Sequence, residues 1–466
     1  MNKEKINWIK KTIILFFFTI YCFGQSGNRR EFQEGNTTQL VLFEKSLPTK
    51  LYDFTSSDLQ VKWHVLLLDF IEQTTGYTPN VAARSMAYIN LAAYESILPA
   101  FPKLQSLSGQ LQGFQMPLIF NIDSSDFIPQ LALNSAIYYM ADQMFVAAPY
   151  IWMEKAVALR DSVNAIFSKE KSSFSTLKSK NYGISVAEFI LKYAEKDGGK
   201  SGLYRSYDLN YQLPKCEACF EINRTADLEN TGPLHPNWGK NRTFFEANNS
   251  DFDIKPSFEF SKYKDSKFYK EALEVYETSK LVNAGSEKYI IANFWDDAAT
   301  YTYTAVGHSI SILTQVLREK PTNLVNSTKL YVQLSLALND AMICAWASKY
   351  TYNLIRPVAY IKKYIDSKWE PTLLTPPFPE FPSGHSVQSA VMATVLSKTM
   401  GDSLSFIDYS KYWVGDPRKF QSFWQAANET SISRLYGGIH FKEALVKGQE
   451  MGKRVGENAL QLKFEK

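Results

Sequence analysis

Apolar residues recur at helical spacing along most of this 466-residue chain, and this pattern limits the folds open to it. The segment VAARSMAYINLAAYESIL (81–98) is typical, because its apolar side chains return every three or four positions. Neither strand-like alternation nor an internal repeat is evident. We therefore predict an all-α fold of helical bundles. The predicted helices cover 63–73, 80–98, 129–146, 150–168, 183–196, 266–280, 291–318, 327–349, 386–400, 417–433 and 441–460.

Long polar loops join the predicted helices. Residues 201–260 are rich in Asn, Pro, Gly and Asp, and loops of such length are usually functional. The Pro-rich stretch 366–384 must be extended or turned. Since no low-complexity linker marks a domain boundary, we expect an irregular lead-in (25–60) followed by a single helical domain (61–466).

The first 24 residues are typical of a secretory signal peptide. A basic stretch ending at Lys11 precedes an apolar run of about ten residues (12–21), and Gly24 precedes the predicted cleavage site at Gln25. A membrane anchor is the weaker alternative, because spanning needs about 20 apolar residues. No later stretch looks long and apolar enough to span. The mature protein is therefore expected to be secreted or periplasmic, with no membrane span.

The charge balance excludes one class of partner. Lys and Arg total 51 against 47 Asp and Glu, and four of the lysines lie in the leader. A nearly neutral mature chain gives no electrostatic reason to expect a nucleic-acid partner. The sequence does not indicate an oligomeric state.

Three cysteines remain after the leader is removed. Cys216 and Cys219 are expected to close a small disulfide loop in an oxidising compartment. A zinc site would need a second pair of ligands nearby, and a redox motif would need a strand–helix context. Cys344 lies in an apolar helix and is interpreted as a small core residue.

The residues with chemical potential are concentrated in the last third of the chain. They form three segments: KYTYNLIRP (349–357), PSGH (382–385) and SRLYGGIH (433–440). The segments carry three cations, which are costly to bury together unless an anion lies among them. Arg presents forked donors for oxyanions, and the predicted helix after Ser383 would direct its N-terminus at the same anion. The cations are Lys349, Arg356 and Arg434.

Two histidines complete this set. His385 and His440 are candidates for a general acid–base, a nucleophile or a metal ligand. Taken singly, each of these residues is more often a solvated cation or a structural histidine. Three such segments in this order make an oxyanion site the stronger interpretation.

The pattern K-x6-RP, PSGH and SR-x5-H resembles the signature of the superfamily of vanadium-dependent haloperoxidases and type 2 phosphatidic acid phosphatases. The helix at 81–98 and the segment ANFWDDAATYTYTAVGH (292–308) are also similar to bacterial haloperoxidases. The resemblance implies an architecture of two four-helix bundles. It also implies a vanadate cofactor, with hydrogen peroxide oxidising a halide to hypohalous acid while vanadium acts as a Lewis acid.

The resemblance assigns roles by motif position. His440 would be the vanadium ligand, or the phosphorylated nucleophile of a phosphatase, and His385 would be the acid–base. The residues that would hold the anion's oxygens are Lys349, Arg356, Ser383, Gly384 and Arg434.

The halide side of the pocket is predicted from two aromatic positions. Trp346 and Phe378 resemble residues that line the halide side of such pockets, although ordinary core packing explains them equally well. These two positions do not set the halide. We expect iodide because it is the easiest halide to oxidise and because the exported bacterial pattern resembles secreted iodoperoxidases, with bromide as a second substrate. The alternatives are a secreted acid phosphatase working through a phospho-histidine at His440, and an oxyanion-binding protein without activity.

The chain departs from the family pattern after His440. The family usually carries Asp four residues later, whereas this chain has Ala444, so Glu443 is the candidate replacement that orients the histidine. A less well-held histidine would favour metal ligation over nucleophilic attack. Asp297 is the candidate acid for Arg434, with a solvated acid as the alternative, and His308 is interpreted as structural.

Overall fold

The computed structural model describes residues 56–117, 126–169, 171–222, 232–245, 254–299, 301–410 and 415–466. The predicted signal peptide (1–24) and most of the predicted lead-in lie outside these residues. The predicted lead-in (25–60) extends a few residues beyond the start of the first helix, which begins at Asp58.

The described residues confirm the predicted all-α fold. Helices α1 to α5 precede the long loop region, α6 to α8 follow it, and α9 to α13 carry the three motif segments. Their bounds are α1 Asp58–Gln73, α2 Pro79–Ile97, α3 Pro129–Met144, α4 Tyr150–Ser168, α5 Ser173–Ala194, α6 Lys267–Ser279, α7 Glu287–Phe294, α8 Thr304–Glu319, α9 Leu324–Tyr352, α10 Pro357–Tyr364, α11 Gly384–Met400, α12 Phe423–Tyr436 and α13 Lys442–Ala459.

The N-terminal helices pack around α2. This helix contacts α3, α5, α8 and α9, and almost all its residues are buried. Its alanines leave room for neighbouring helices on every side. Thr78 caps its first turn by accepting a hydrogen bond from the Val81 N–H (3.4 Å), and Pro79 suits the first helical position.

The C-terminal helices α9, α11, α12 and α13 form a second bundle, and α9 joins it to α2. Glycines at 448, 452 and 456 put a flat face of α13 against α11. A Cβ at Gly452 would lie 2.1 Å from the Val387 carbonyl oxygen, so only glycine permits this approach. The contact holds the start of α11 beside the segment that precedes α13.

Helix α9 corrects one statement from the sequence. Leu324–Tyr352 is long and apolar enough to cross a membrane by length and composition, but 94% of its most apolar window is buried within the protein. Its apolar surface is used in the core between the two bundles.

Other differences concern element boundaries. The predicted helix 291–318 is two helices, α7 and α8, because the chain leaves helical geometry after Phe294. Asp297 (φ 50°) and Thr304 (φ 68°) adopt left-handed backbone conformations. Helix α10 was not predicted. Two short strands were also missed: β1 (Phe406–Asp408) pairs antiparallel with β2 (Arg418–Phe420), so α12 starts later than predicted.

The loop prediction for 201–260 agrees with the described parts of that region, where a single 3-10 turn, Trp238–Lys240, is the regular helix assigned. The predicted disulfide is confirmed, since Cys216 and Cys219 are bonded. Cys344 is buried and free, as expected for a core residue.

Candidate active site

The ends of five helices bring the three motif segments together. Lys349 lies in the last turn of α9, Arg356 precedes α10, and Ser383 caps α11. Arg434 is in the last turn of α12, and His440 stands two residues before α13. Each of these five residues is at most 2% exposed.

His440 is held on both sides of its ring. Its Nε2 lies 3.1 Å from Arg356 Nη1, and its Nδ1 lies 2.8 Å from Glu380 Oε1. Because a guanidinium only donates hydrogen bonds, His440 Nε2 must be the acceptor. Nδ1 must therefore carry the ring proton, and it donates a hydrogen bond to Glu380. The Nε2 lone pair therefore faces the cluster of cations, which is the state that a metal ligand needs. Burial, reinforced by Arg356 and Lys349, lowers the pKa of His440 well below its usual value.

Glu380 is the acid that the sequence did not reveal. Its Oε1 also accepts a hydrogen bond from the Phe441 N–H (3.0 Å), and burial raises its pKa to about 7. Glu443 was the predicted partner, but its Oε1 accepts from the Ser257 N–H instead. The helical turn after His440 directs that side chain away from the imidazole ring. Glu380 thus orients His440, and neither the predicted Glu443 contact nor a loosely held ring describes this histidine.

Arg356 is fully engaged on one edge and open on the other. Its Nε donates to the Phe378 carbonyl (2.9 Å) and its Nη1 to the Ile439 carbonyl (2.8 Å), while Nη2 is buried without a partner among the described residues. Burial lowers its pKa to about 9.

Arg434 has a similar open edge. Its Nη1 donates to the Trp295 carbonyl, its Nη2 lies 3.7 Å from Asp296 Oδ1, and its Nε is buried without a partner in the described structure. Asp297, the predicted partner, is not the nearest acid. Its left-handed backbone turns its carboxylate towards His308, which lies 2.8 Å away.

Lys349 contacts protein atoms. Its ammonium donates to the carbonyls of Pro379 (3.0 Å), Glu380 (3.1 Å) and Pro382, so it ties down the loop before α11. Burial and the charge of Arg356 lower its pKa well below the usual value. Its positive charge adds to that of Arg356 and Arg434, although all three of its N–H groups donate to carbonyls of the loop before α11.

The start of α11 leaves room for a ligand. Ser383 accepts a hydrogen bond from the Ser386 N–H (3.3 Å) as the N-cap. A Cβ at Gly384 would meet only Trp346, at 3.7 Å. The helix N-terminus therefore faces a space that a side chain at 384 would fill.

His385 stands at the exposed side of the cluster, with 21% of its side chain accessible. Burial, then Arg434, His308 and Lys349, lower its pKa well below the usual value. Its Nε2 has no hydrogen-bond partner among the described residues and lies 3.7 Å from Asp297 Oδ2.

The two predicted halide-pocket residues are neighbours. The rings of Trp346 and Phe378 are 5.1 Å apart, and the Phe378 ring centre lies 4.9 Å from Lys349 Nζ and 4.8 Å from Arg356 Cζ. An aromatic wall thus screens two of the cations from solvent.

The donor set fits an oxyanion. Two guanidinium nitrogens, Arg356 Nη2 and Arg434 Nε, are buried without hydrogen-bond partners among the described residues, and both arginines act on His440. Buried donors are rarely left unsatisfied, and an oxyanion would satisfy both, with His440 Nε2 as a nitrogen ligand in place of its Arg356 contact. No group of three acidic, His or Cys side chains able to hold a bare metal cation occurs in the described part of the chain.

Comparison with known proteins agrees with this anion centre in a helical fold. The family described as the VCPO second helical-bundle domain matches residues 329–368 and 364–465. A crystal structure of a bacterial vanadium-dependent iodoperoxidase is 31% identical, with a TM-score of 0.77, covering 88% of this chain and 97% of that one. No curated protein matches the chain significantly by sequence.

More distant structures share the fold. The holo form of a bacterial vanadium-dependent chloroperoxidase has 15% identity and a TM-score of 0.62, over 84% of this chain and 92% of that one. The apo form of a bacterial vanadium-dependent chloroperoxidase gives 16% and 0.60, over 82% and 92%.

Fold and site together define a helical protein with a buried cluster of cations suited to an oxyanion, beside a histidine that Glu380 orients. The identity and coverage of the iodoperoxidase match make the family plain: the chain belongs to the vanadium-dependent haloperoxidases.

Proposed function

We propose that this chain is an exported iodide peroxidase that binds vanadate at His440 and uses hydrogen peroxide. One observation carries the proposal: near His440, two buried guanidinium nitrogens, Arg356 Nη2 and Arg434 Nε, lack hydrogen-bond partners in the part of the chain that the structure describes. An anion is the ligand that compensates such a cluster.

The side chains divide the work of binding. His440 Nε2 would ligate vanadium, and Arg356, Arg434, the hydroxyl of Ser383 and the backbone at Gly384 would hold the oxygens. Lys349 contributes charge and fixes the loop 379–382. When bound, vanadate supplies a Lewis acid that draws electron density from peroxide without changing oxidation state.

His385 is suited to proton transfer. Its depressed pKa keeps the ring neutral near pH 7, and its Nε2 has no hydrogen-bond partner in the described structure. It would accept the proton that peroxide gives up on binding and return it to the departing oxygen. Because a proton is consumed when a halide becomes hypohalous acid, a neutral histidine beside the site suits both steps.

The choice of iodide rests on two observations. The matched iodoperoxidase is 31% identical, and the Trp346–Phe378 wall lies against Lys349 and Arg356. Aromatic edges and cations favour a large, weakly hydrated anion. Iodide is also the easiest halide to oxidise, and bromide is the expected second substrate.

Export is supported by the leader and by the disulfide. The basic and apolar pattern of residues 1–24 is that of a cleaved signal, and the bonded Cys216–Cys219 pair suits an oxidising compartment. Sequencing the N-terminus of protein recovered outside the cytoplasm should give Gln25 as the first residue, and a retained leader would contradict export.

A paired assay on metal-free protein tests the activity. Orthovanadate, hydrogen peroxide and iodide should together give triiodide, and omission of vanadate should abolish it. His440→Ala should be inactive. His64→Gln is a matched control, since His64 is a buried histidine bonded to Gln60 and Asn90, away from the site.

The second arm offers a phosphate ester without vanadate. Glu380 orients His440 well enough for nucleophilic attack, so the superfamily's phosphatase chemistry needs this direct test. Ester hydrolysis inhibited by vanadate, with no halide oxidation, would overturn the proposal. Tight vanadate binding without any turnover would do so as well.

A further inference from the structure

A buried row of acids and histidines lies behind His385. His308 Nδ1 lies 2.8 Å from Asp297 Oδ1, and His308 Nε2 lies 3.0 Å from Asp408 Oδ2. These three side chains are at most 3% exposed. They come from the turn before α8, from α8 itself and from β1, so tertiary structure alone brings them together.

The geometry favours a positively charged His308. A neutral imidazole has one N–H, whereas here both ring nitrogens face carboxylate oxygens at hydrogen-bond distance. The Trp295 ring stacks on His308 with centres 4.6 Å apart, which also favours a positive charge. The two acids raise the pKa of His308 well above its usual value against the opposing effect of burial.

Asp297 connects this cation to the active site. One oxygen is bound by His308, while Oδ2 is buried, has no partner in the described structure and lies 3.7 Å from His385 Nε2. The left-handed backbone at Asp297 (φ 50°) directs the carboxylate between the two histidines.

We propose that His308, clamped by Asp408, is a positioning residue that holds Asp297 against His385 and balances its charge. The inference builds on the proposed peroxidase function. Without the imidazolium, Asp297 would present its full negative charge to His385 and keep that ring protonated. With it, His385 stays neutral and can accept a proton from peroxide.

Charged groups from every neighbouring element enter this balance. His385 faces Arg434 of α12 and Lys349 of α9, both of which disfavour its protonation, while the backbone of Asp296 favours it. The other oxygen of Asp408, Oδ1, accepts a hydrogen bond from Gln315 Nε2 (3.1 Å).

Tyr303, the residue before α8, is a further titratable group near the acids. Burial first, and then the carboxylates of Asp69, Glu72, Asp408 and Asp297, raise its pKa well above the usual value, so it stays neutral. Tyr303 therefore adds no charge of its own to this cluster.

The test is the pH profile of His308→Gln. Protonated His385 cannot take the peroxide proton, so activity falls as pH drops through its pKa. Loss of the nearby cation raises that pKa, and the acidic limb of kcat/KM for peroxide should move to higher pH by about 1 unit. At a pH below the limb, the variant should be about tenfold slower than the wild type.

Two further variants separate charge from structure. His308→Gln combined with Asp408→Asn restores the local charge, so the limb should return towards the wild-type pH. His64→Gln alters a buried histidine with no acid contact and should leave the limb in place. If the acidic limb of the pH profile is unchanged in His308→Gln, or moves to lower pH, the inference is overturned.

A readout on metal-free protein keeps this test independent of the proposed activity. The chain has five histidines, so the His385 ring can be assigned by NMR using His385→Gln. Its titration midpoint should be higher in His308→Gln than in the wild type, and an equal midpoint would contradict the inference. If no halide is oxidised by the wild type, the proposed function fails while this titration still decides the role of His308.

Discussion

At the residue scale, Glu380 explains how a haloperoxidase can lack the usual acid after its histidine. The carboxylate reaches His440 from the Pro-rich loop before α11, at 2.8 Å, instead of from the helix that follows. The same oxygen binds the Phe441 N–H, so one side chain fixes both the ring and the backbone beside it. Outer partners of this kind set the basicity of a ligating imidazole.

Glu380→Gln should therefore weaken vanadate binding by about 10–100-fold, the usual effect of removing such a partner. The amide oxygen of the substituted side chain can still accept the hydrogen bond from His440 Nδ1, but it carries no negative charge. Equilibrium dialysis with orthovanadate measures the change. Glu443→Gln is the matched control and should bind like the wild type, since Glu443 contacts Ser257. The reverse ranking of the two variants would contradict the account.

Glu95 is a buried acid far from the motif segments, and it predicts a pH dependence of stability. It accepts hydrogen bonds from the Leu107 N–H (2.7 Å) and the Ser106 hydroxyl (2.8 Å), and burial raises its pKa to about 7. The folded state thus holds this proton more tightly than the unfolded state. The associated stability is present at low pH and is lost as pH rises through about 7.

Glu95→Gln should reduce the fall in stability between pH 5 and pH 8 by up to about 3 kcal/mol, because the ionisation step is removed. Urea unfolding at the two pH values measures it. Glu154→Gln, at an exposed position, should keep the wild-type slope. An unchanged slope in Glu95→Gln would show that this carboxyl ionises normally.

At the element scale, the contact between α11 and α13 positions the two halves of the site. Gly452 sits against Val387, and Gly448 would bring a Cβ to 2.8 Å from the Ser383 carbonyl oxygen. Ser383 opens α11, and His440 precedes α13 by two residues. Close helix packing therefore fixes the anion-binding serine relative to the ligand histidine.

Gly452→Ala should lower the free energy of unfolding by about 1–3 kcal/mol through overpacking, despite the better helix propensity of Ala. It should also weaken vanadate binding by separating Ser383 from His440. Thermal unfolding and dialysis measure the two effects. Lys453→Ala, at an exposed position of the same helix, should change neither, and full tolerance of Gly452→Ala would contradict the packing argument.

The disulfide loop braces the segment that carries Arg356. The Ala218 carbonyl accepts from the Ile355 N–H, and the Phe220 N–H donates to the Asn353 carbonyl, both at 2.8 Å. The Glu380 N–H donates to the Leu354 carbonyl on the same segment (3.0 Å). Both His440 partners, Arg356 and Glu380, are thus attached to the stretch that this loop supports.

Removal of the disulfide with Cys216→Ser and Cys219→Ser together should weaken vanadate binding several-fold. The global cost should be about 2 kcal/mol or less, because the closed loop is short. Wild-type protein that is reduced, alkylated and freed of reductant should behave like the double variant. Cys344→Ala leaves the disulfide intact and serves as the control. Unchanged affinity in the double variant would mean that the brace is unnecessary.

At the scale of the whole molecule, helical periodicity and motif spacing predicted the fold class and the residues that meet at the site. They did not predict Glu380 as the partner of His440, or Asp408 and Asp297 as partners of His308. These contacts join residues 60, 100 and 11 positions apart, through loops and a strand with no local signal. The break between α7 and α8 was missed because a left-handed Asp297 leaves no mark in an apolar pattern.

The two bundles share one core, and this supports our proposal that residues 61–466 form a single domain. A continuous hydrophobic cluster runs from Leu59 in α1 to Val455 in α13, and α9 contributes to it along most of its length. Metal-free protein should therefore unfold in one calorimetric transition, and saturating vanadate should raise its midpoint. Two separate transitions would contradict the shared core.

The central claim is that the open guanidinium edges and the His440 lone pair form a vanadate site. A crystal structure of the vanadate-loaded protein tests it most directly. The account predicts one oxyanion bonded to His440 Nε2, with oxygens on Arg356 Nη2 and Arg434 Nε. An anion bound elsewhere, with His440 still in contact only with Arg356 and Glu380, would contradict it.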